Sequence, residues 1–360
     1  MISTWLIIFS AVAAYLLACR YFRFKRLRDL QRDWIDRDGS FKIRSVEDAR
    51  IILEVSNLYE STFMWETSIE LALFRTYGIP TISKVLVSTG QLSQPESAGK
   101  RAEDTGLLLQ EALYNPWDTE RSRTAISRIN YLHSRYGKRI TNDDMLYTLS
   151  LFILEPMRWL EMYEWRPLSD VEKYAQLTLW TALGQRMGIT GIPNNLKDLE
   201  KFSVDYEENP KIRAGNGDPA IVCTFGRQTA ELHAFSHAFS MDGMVRTVCL
   251  KVSSQISPVF LLTQTEQSPP YFSEKNPTGR YHKLKSNFQP FYARSSVYNR
   301  LYFGLLGFDL KEEKWMTEGY KIEELGPNKL KDAGHEQVSR GAQIMFKCPF
   351  VLPSRGLSPR

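Results

Sequence analysis

Imidazole is the side chain that most readily supplies a metal ligand or a proton-transfer group near neutral pH, and this chain offers five: His133, His233, His237, His282 and His335. His133 lies in Arg128-Ile-Asn-Tyr-Leu-His133-Ser-Arg-Tyr136-Gly137. On a helix it stacks over Ile129 on one apolar face, with Arg128 and Arg135 close by. An imidazole on such a face suits the axial position of a buried haem iron, and neighbouring arginines suit its propionates. By spacing alone, however, a lone histidine there is more often a packed core residue than a ligand. His233-Ala-Phe-Ser-His237 places two imidazoles four apart, a spacing that can hold zinc or iron on a helix, but it lacks both the glutamate of a metalloprotease helix and an obvious third ligand. Arg101-Ala-Glu-Asp104-Thr105 is a charged cluster whose default reading is a solvated helix face. No Ser-His-Asp elbow, phosphate loop or carboxylate pair supports a hydrolase or a kinase. Four scattered cysteines form no CxxC pair, so they read as small buried hydrophobes in a reducing compartment.

The elements that would position these groups are helical. Ser45-Val-Glu-Asp48 has the form of a capping box opening a helix with Ile51, Ile52, Val55 and Leu58 on one side. Helical spacing continues toward Phe74, and Gly78 and Pro80 end the run. A turn-rich stretch from Gly90 to Gly99 precedes a helix over Lys100 to Leu113. Asn115-Pro-Trp-Asp118 then caps the helix of Ile126, Ile129, Leu132 and His133. Thr141-Asn-Asp-Asp144 opens a helix that runs to a break at Pro156. Ser169-Asp-Val-Glu172 opens one carrying Val171, Tyr174, Leu177, Trp180 and Leu183. Residues 45 to 190 therefore read as all-helical. Beyond about residue 205 the period is lost: 245 to 262 fits a strand or a buried helix, and 264 to 290 reads as a long loop.

From Met1 to Cys19 no residue is charged, and the run is long enough as a helix to reach across the hydrocarbon layer. The basic residues follow the apolar run, which favours an uncleaved anchor over a signal peptide and predicts a cytosolic body. Residues 20 to 37 hold seven Arg or Lys against three Asp, which accounts for +4 of the net charge of +5. The rest of the chain is nearly neutral, so nothing points to nucleic acid.

Taken in order, several motifs give the chain a resemblance to the ER-bound oxygenase mpaB and rubber-oxygenase catalytic-domain family, in particular its fungal branch. They are Phe74-Arg-Thr-Tyr-Gly-Ile-Pro80, Arg101-x-x-x-Thr105, Arg128-Ile-Asn-Tyr-Leu-His133 with Tyr136-Gly137, and Asp144-Met-Leu-Tyr-Thr-Leu149. Pro156-x-x-Trp159, Trp165-Arg-Pro167, Glu172, Trp180 with Gly184, and Met187-Gly-Ile189 follow. Tyr320-Lys-Ile-Glu-Glu-Leu-Gly-Pro327 and Cys348-Pro-Phe350 complete the series. The resemblance spans roughly residues 45 to 210 and 288 to 350. Residues 210 to 287 match poorly, as a diverged insertion, a retained intron or a gene-model error would.

This resemblance implies an all-α fold with a globin-like haem-binding core behind an N-terminal transmembrane helix. The implied layout is an anchor at 1–19, a basic juxtamembrane linker at 20–44, a catalytic domain at 45–350 and a tail at 351–360. It further implies haem b with iron ligated by His133, Arg128 and Arg135 beside the cofactor, and Arg101 and Thr105 as distal catalytic groups. Asp104 stands where rubber oxygenases carry a lysine, which points away from rubber and toward a smaller lipophilic, prenylated substrate of secondary metabolism. The expected reaction is oxidative cleavage of a C=C bond at the endoplasmic reticulum membrane. Haem-dependent hydroxylation, dehydrogenation or rearrangement is one alternative, and a non-catalytic membrane-bound biosynthetic partner is another.

Overall fold

In the computed structural model, residues 2–91, 95–209, 275–283 and 290–347 are described. They are α-helical with short turns and three isolated β-bridges, and no strand occurs among them. The first helix, α1 (Ile2–Trp34), carries the apolar run and continues through the basic segment predicted as a linker. It is the one helix among the described residues long and apolar enough to cross a membrane. Its far end is tied down, since Leu30 is buried and Trp34 packs against the core.

The catalytic body begins at α2 (Val46–Val55), where Ser45 and Asp48 form the expected capping box. Its buried residues are Val46, Ala49, Arg50, Ile52 and Leu53, while Ile51 faces out. The helix then widens into a π-turn over Ser56–Glu60, which places Leu58 outside the predicted apolar stripe. After α3 (Thr62–Thr76), Pro80 starts a helix rather than only ending one: α4 (Pro80–Thr89) has it at the first position, where its missing N–H costs nothing. The stretch expected to be turns up to Gly99 is already helical from its midpoint, because α5 spans Pro95–Leu113. Then α6 (Glu120–Ser134) is capped by the Thr119 hydroxyl rather than by Asp118, which has a left-handed φ of 69°.

The helix α7 (Asn142–Tyr163) is capped by Thr141 as expected but does not break at Pro156. A proline inside a helix leaves the carbonyl four residues earlier without its donor. Here that carbonyl belongs to Phe152, and the Gln176 side-chain amide from α8 (Asp170–Arg186) donates to it at 3.0 Å. The substitute bond lets one helix of 22 residues run where the sequence alone suggests two. The cap of α8 is built as predicted: the Glu172 carboxylate accepts from the Ser169 N–H at 2.7 Å and from its hydroxyl at 2.6 Å.

The core forms where α2 and α5 pack on α8, α3 and α9 (Leu196–Glu208) on α7, and α7 on α8. Helix α8 is buried on nearly every side, with Val171, Leu177, Trp180 and Leu183 inside. Each such side chain contributes about 1.5–3 kcal/mol of apolar burial. The later part of the chain supplies α10 (Val297–Leu305) and α11 (His335–Lys347). α11 and the turn at Ile322–Glu324 lie against α6. Close approach there requires glycine: a Cβ on Gly341 would come within 2.3 Å of Ser127 Oγ, and one on Gly334 within 2.3 Å of the Tyr131 ring. Most of the predicted 264–290 loop, all of 245–262, and His233 and His237 fall outside the described residues.

Candidate active site

Helices α5 and α6 pack on one another, which brings Arg101 near His133. The imidazole is closely surrounded by protein, and burial together with the Arg101 charge lowers its pKa to about 4. It is therefore neutral at physiological pH, the form that offers a lone pair to a metal. Its Nδ1 is buried and has no hydrogen-bond partner. The Arg101 charge also acts on the hydroxyl of Tyr77, just past the end of α3, whose pKa burial raises. Arg101 and Thr105, one turn apart on α5, act as a unit: the guanidinium Nη1 donates to the Thr105 hydroxyl, which donates in turn to the Arg101 carbonyl at 2.7 Å.

His133, Tyr77, Arg101 and Thr105 are all half-buried. Beside them, a Cβ added to Gly106 would meet nothing within 4 Å. On α3, Glu70 faces Glu103 of α5 and Lys283. Burial, with the charges of Glu66 and Glu103, raises the Glu70 carboxyl to about 7 against the opposing pull of Lys283.

Two of the predicted site residues are placed elsewhere. Arg128 is fully buried, and its guanidinium is taken up by three backbone carbonyls: Leu325 at 2.9 Å, Leu330 at 2.7 Å and Ala333 at 2.8 Å. Arg135 caps the C-terminus of α6 and is exposed. Asp104, at the departure from the rubber-oxygenase pattern, is also fully buried. It accepts from Lys100 at 2.5 Å, from the Tyr292 hydroxyl at 2.7 Å and from the Gly326 N–H at 3.1 Å. Its role in this fold is to join α5 to the C-terminal part of the chain.

Among the remaining histidines, His282 and His335 each bring Nε2 to a backbone carbonyl, of Thr317 at 3.1 Å and Lys331 at 2.9 Å. Among the described residues no group of three or more His, Cys, Asp or Glu could hold a metal ion by side chains alone. The arrangement around His133 fits a cofactor that brings its own equatorial donors and asks the protein for one neutral imidazole. Sequence reasoning missed Tyr77, which lies within the field of Arg101 and stands inside the Phe74–Pro80 motif, a signal that could have marked it.

No family model matches the chain, and no solved structure matches it significantly. Curated proteins do. The ER-bound oxygenase mpaB' of Penicillium brevicompactum is 32% identical over 96% of this chain and 95% of its own length. The ER-bound oxygenase mpaB of the same organism is 34% identical over 82% of this chain and 80% of its own length. The ER-bound oxygenase mpaB of Penicillium roqueforti is 37% identical over 54% and 70%. Identity at this level across nearly the whole of both chains, over an all-helical body behind an apolar N-terminal helix, places the protein in the mpaB family of ER-bound oxygenases.

Proposed function

We propose that this oxygenase depends on haem b, with His133 as the axial iron ligand, and cleaves a C=C bond in a lipophilic, prenylated metabolite. The observation that carries this reading is the state of the His133 imidazole: enclosed, neutral, without a partner at Nδ1, and beside the space at Gly106. A buried polar atom left unpaired costs about 1–3 kcal/mol unless something fills its need. When bound, haem supplies the activation of dioxygen. The chain supplies the setting. Arg101 holds a fixed positive charge near His133, and its bond to Thr105 would let the two orient oxygen or a carbonyl that develops charge. Phe74 and Tyr77, in edge-to-face contact at 5.8 Å, would offer an apolar surface to an isoprenoid chain.

In this reading α1 spans the endoplasmic reticulum membrane, and the basic residues after Cys19 keep the body on the cytosolic side. A prenylated substrate would partition into the same bilayer. The test is an absorption spectrum of the purified protein: a Soret band is expected in the wild type and its loss or shift in His133→Ala. A wild type without the band, or an unchanged band in the variant, rejects the haem reading. Cleavage puts both atoms of one labelled dioxygen into two carbonyl fragments, whereas a single added oxygen in an intact product would assign hydroxylation.

A further inference from the structure

No hinge separates the apolar run of α1 from the catalytic body. The helix is continuous from Ile2 to Trp34, and Leu30 near its end is buried in the core. Height above the membrane can therefore be counted along the helix. Phe24 lies five residues past Cys19, about 7.5 Å at 1.5 Å per residue. The headgroup layer on each side of a bilayer is about 5–8 Å deep. Side chains lean toward the helix N-terminus, which lowers the Phe24 ring further into that layer. Arg20 sits 5.0 Å from the centre of the same ring, as suits a cation among lipid phosphates.

The body meets α1 at this level. Trp165, in the corner between α7 and α8, packs edge-on against Phe24 at 5.7 Å. Next to it at the end of α7, Met162 is 61% exposed and Tyr163 39% exposed. The corner is not free to swing, because Arg166 is clamped between Glu60 at 2.6 Å and Glu172 at 2.7 Å. We propose that Met162, Tyr163 and Trp165 form a second bilayer contact, seated in the headgroup layer beside α1, that fixes the orientation of the catalytic body on the membrane. The contact rests on the reading of α1 as a membrane span. An aromatic pair with one flexible apolar side chain suits this wet, half-apolar depth. The exposed Glu161 beside it favours a zwitterionic surface, so phosphatidylcholine is the lipid used below.

The experiment places an environment-sensitive fluorophore on the full-length chain, with its four cysteines replaced by serine, at Met162→Cys, Tyr163→Cys or Phe9→Cys. The labelled proteins are reconstituted in phosphatidylcholine vesicles that carry a nitroxide either on the headgroup or near the end of the acyl chain. The proposal expects the labels at 162 and 163 to be quenched at least about twofold more by the headgroup nitroxide, and the label at 9 more by the deep one. Deep quenching at 9 with none at 162 and 163 would leave the span intact and overturn the second contact. No quenching at 9 would remove the span, and the contact with it. In the chain with native cysteines, a photoreactive benzoyl-phenylalanine at position 163 should cross-link to lipid; cross-linking only to protein would also overturn the proposal.

Discussion

Arg128 and His133 stand five residues apart on α6, and the fold treats their side chains in opposite ways. Arg128 is fully buried and finds three carbonyl acceptors from a segment some two hundred residues later. His133 is enclosed nearby and finds none for its Nδ1. A charge buried for structural reasons is given partners, because an uncompensated one costs several kcal/mol. A neutral imidazole with an open ring nitrogen is the place to look for a ligand. The same contrast holds on α5, where Asp104 is saturated by Lys100, Tyr292 and Gly326 while Arg101 and Thr105, on either side of it, are only half-buried.

The sharpest way to break this comparison is to remove each member of the pair on α6. Arg128→Ala should lose about 3–5 kcal/mol of stability, read from the urea midpoint, because the carbonyls at 325, 330 and 333 lose their donor together. Compared as apoproteins, His133→Ala should change the midpoint by less than about 1 kcal/mol, while the Soret band of the haem-loaded protein is lost. Equal losses in the two variants would erase the distinction between clamp and ligand.

A smaller effect is expected at α7. Gln176→Leu leaves the Phe152 carbonyl buried and unpaired, at a cost of about 1–3 kcal/mol. Hydrogen exchange should speed up around Pro156 in that variant and not around His133.

The pH dependence separates His133 from Glu70. His133 has a folded pKa of about 4 against about 6.5 for the free side chain, so the unfolded chain takes up its proton first. Stability should fall as pH drops from about 6.5 toward 4, and His133→Ala should flatten that limb of the profile. Glu70 works in the other direction, with a folded pKa of about 7 against 4.5. Its contribution is complete below 4.5 and is lost as pH rises through 7, so Glu70→Gln should be relatively more stable than wild type at pH 8 than at pH 4. Midpoints measured across that range in the apoprotein check both.

What the sequence made legible was chemistry between near neighbours. The caps at Ser45, Thr141 and Ser169 each depend on a partner three residues away, and all three are present. What it hid depended on distant partners. Pro156 reads as a break until Gln176 is seen to replace its missing bond. Pro80 reads as a stop because a proline that ends one helix and one that starts the next look the same. Arg128 reads as a cofactor arginine because its three carbonyl partners lie past residue 320. At the site, spacing alone left His133 between ligand and core residue, and the resemblance to the mpaB family, not its periodicity, singled it out. The grouping of Arg101, Tyr77 and His133 needed the packing of three helices to become visible.

The glycine-lined seam along α6 has a consequence for the timing of biosynthesis. Residues Gly326, Gly334 and Gly341 fit against Leu132, Tyr131 and Ser127, and Arg128 is completed only by carbonyls between 325 and 333. The helix that carries His133 is translated in the first half of the chain, yet its back remains uncovered until the last few dozen residues have left the ribosome. A message cut short before that point would yield a protein that contains His133, Tyr77, Arg101 and Thr105 but lacks the brace behind α6.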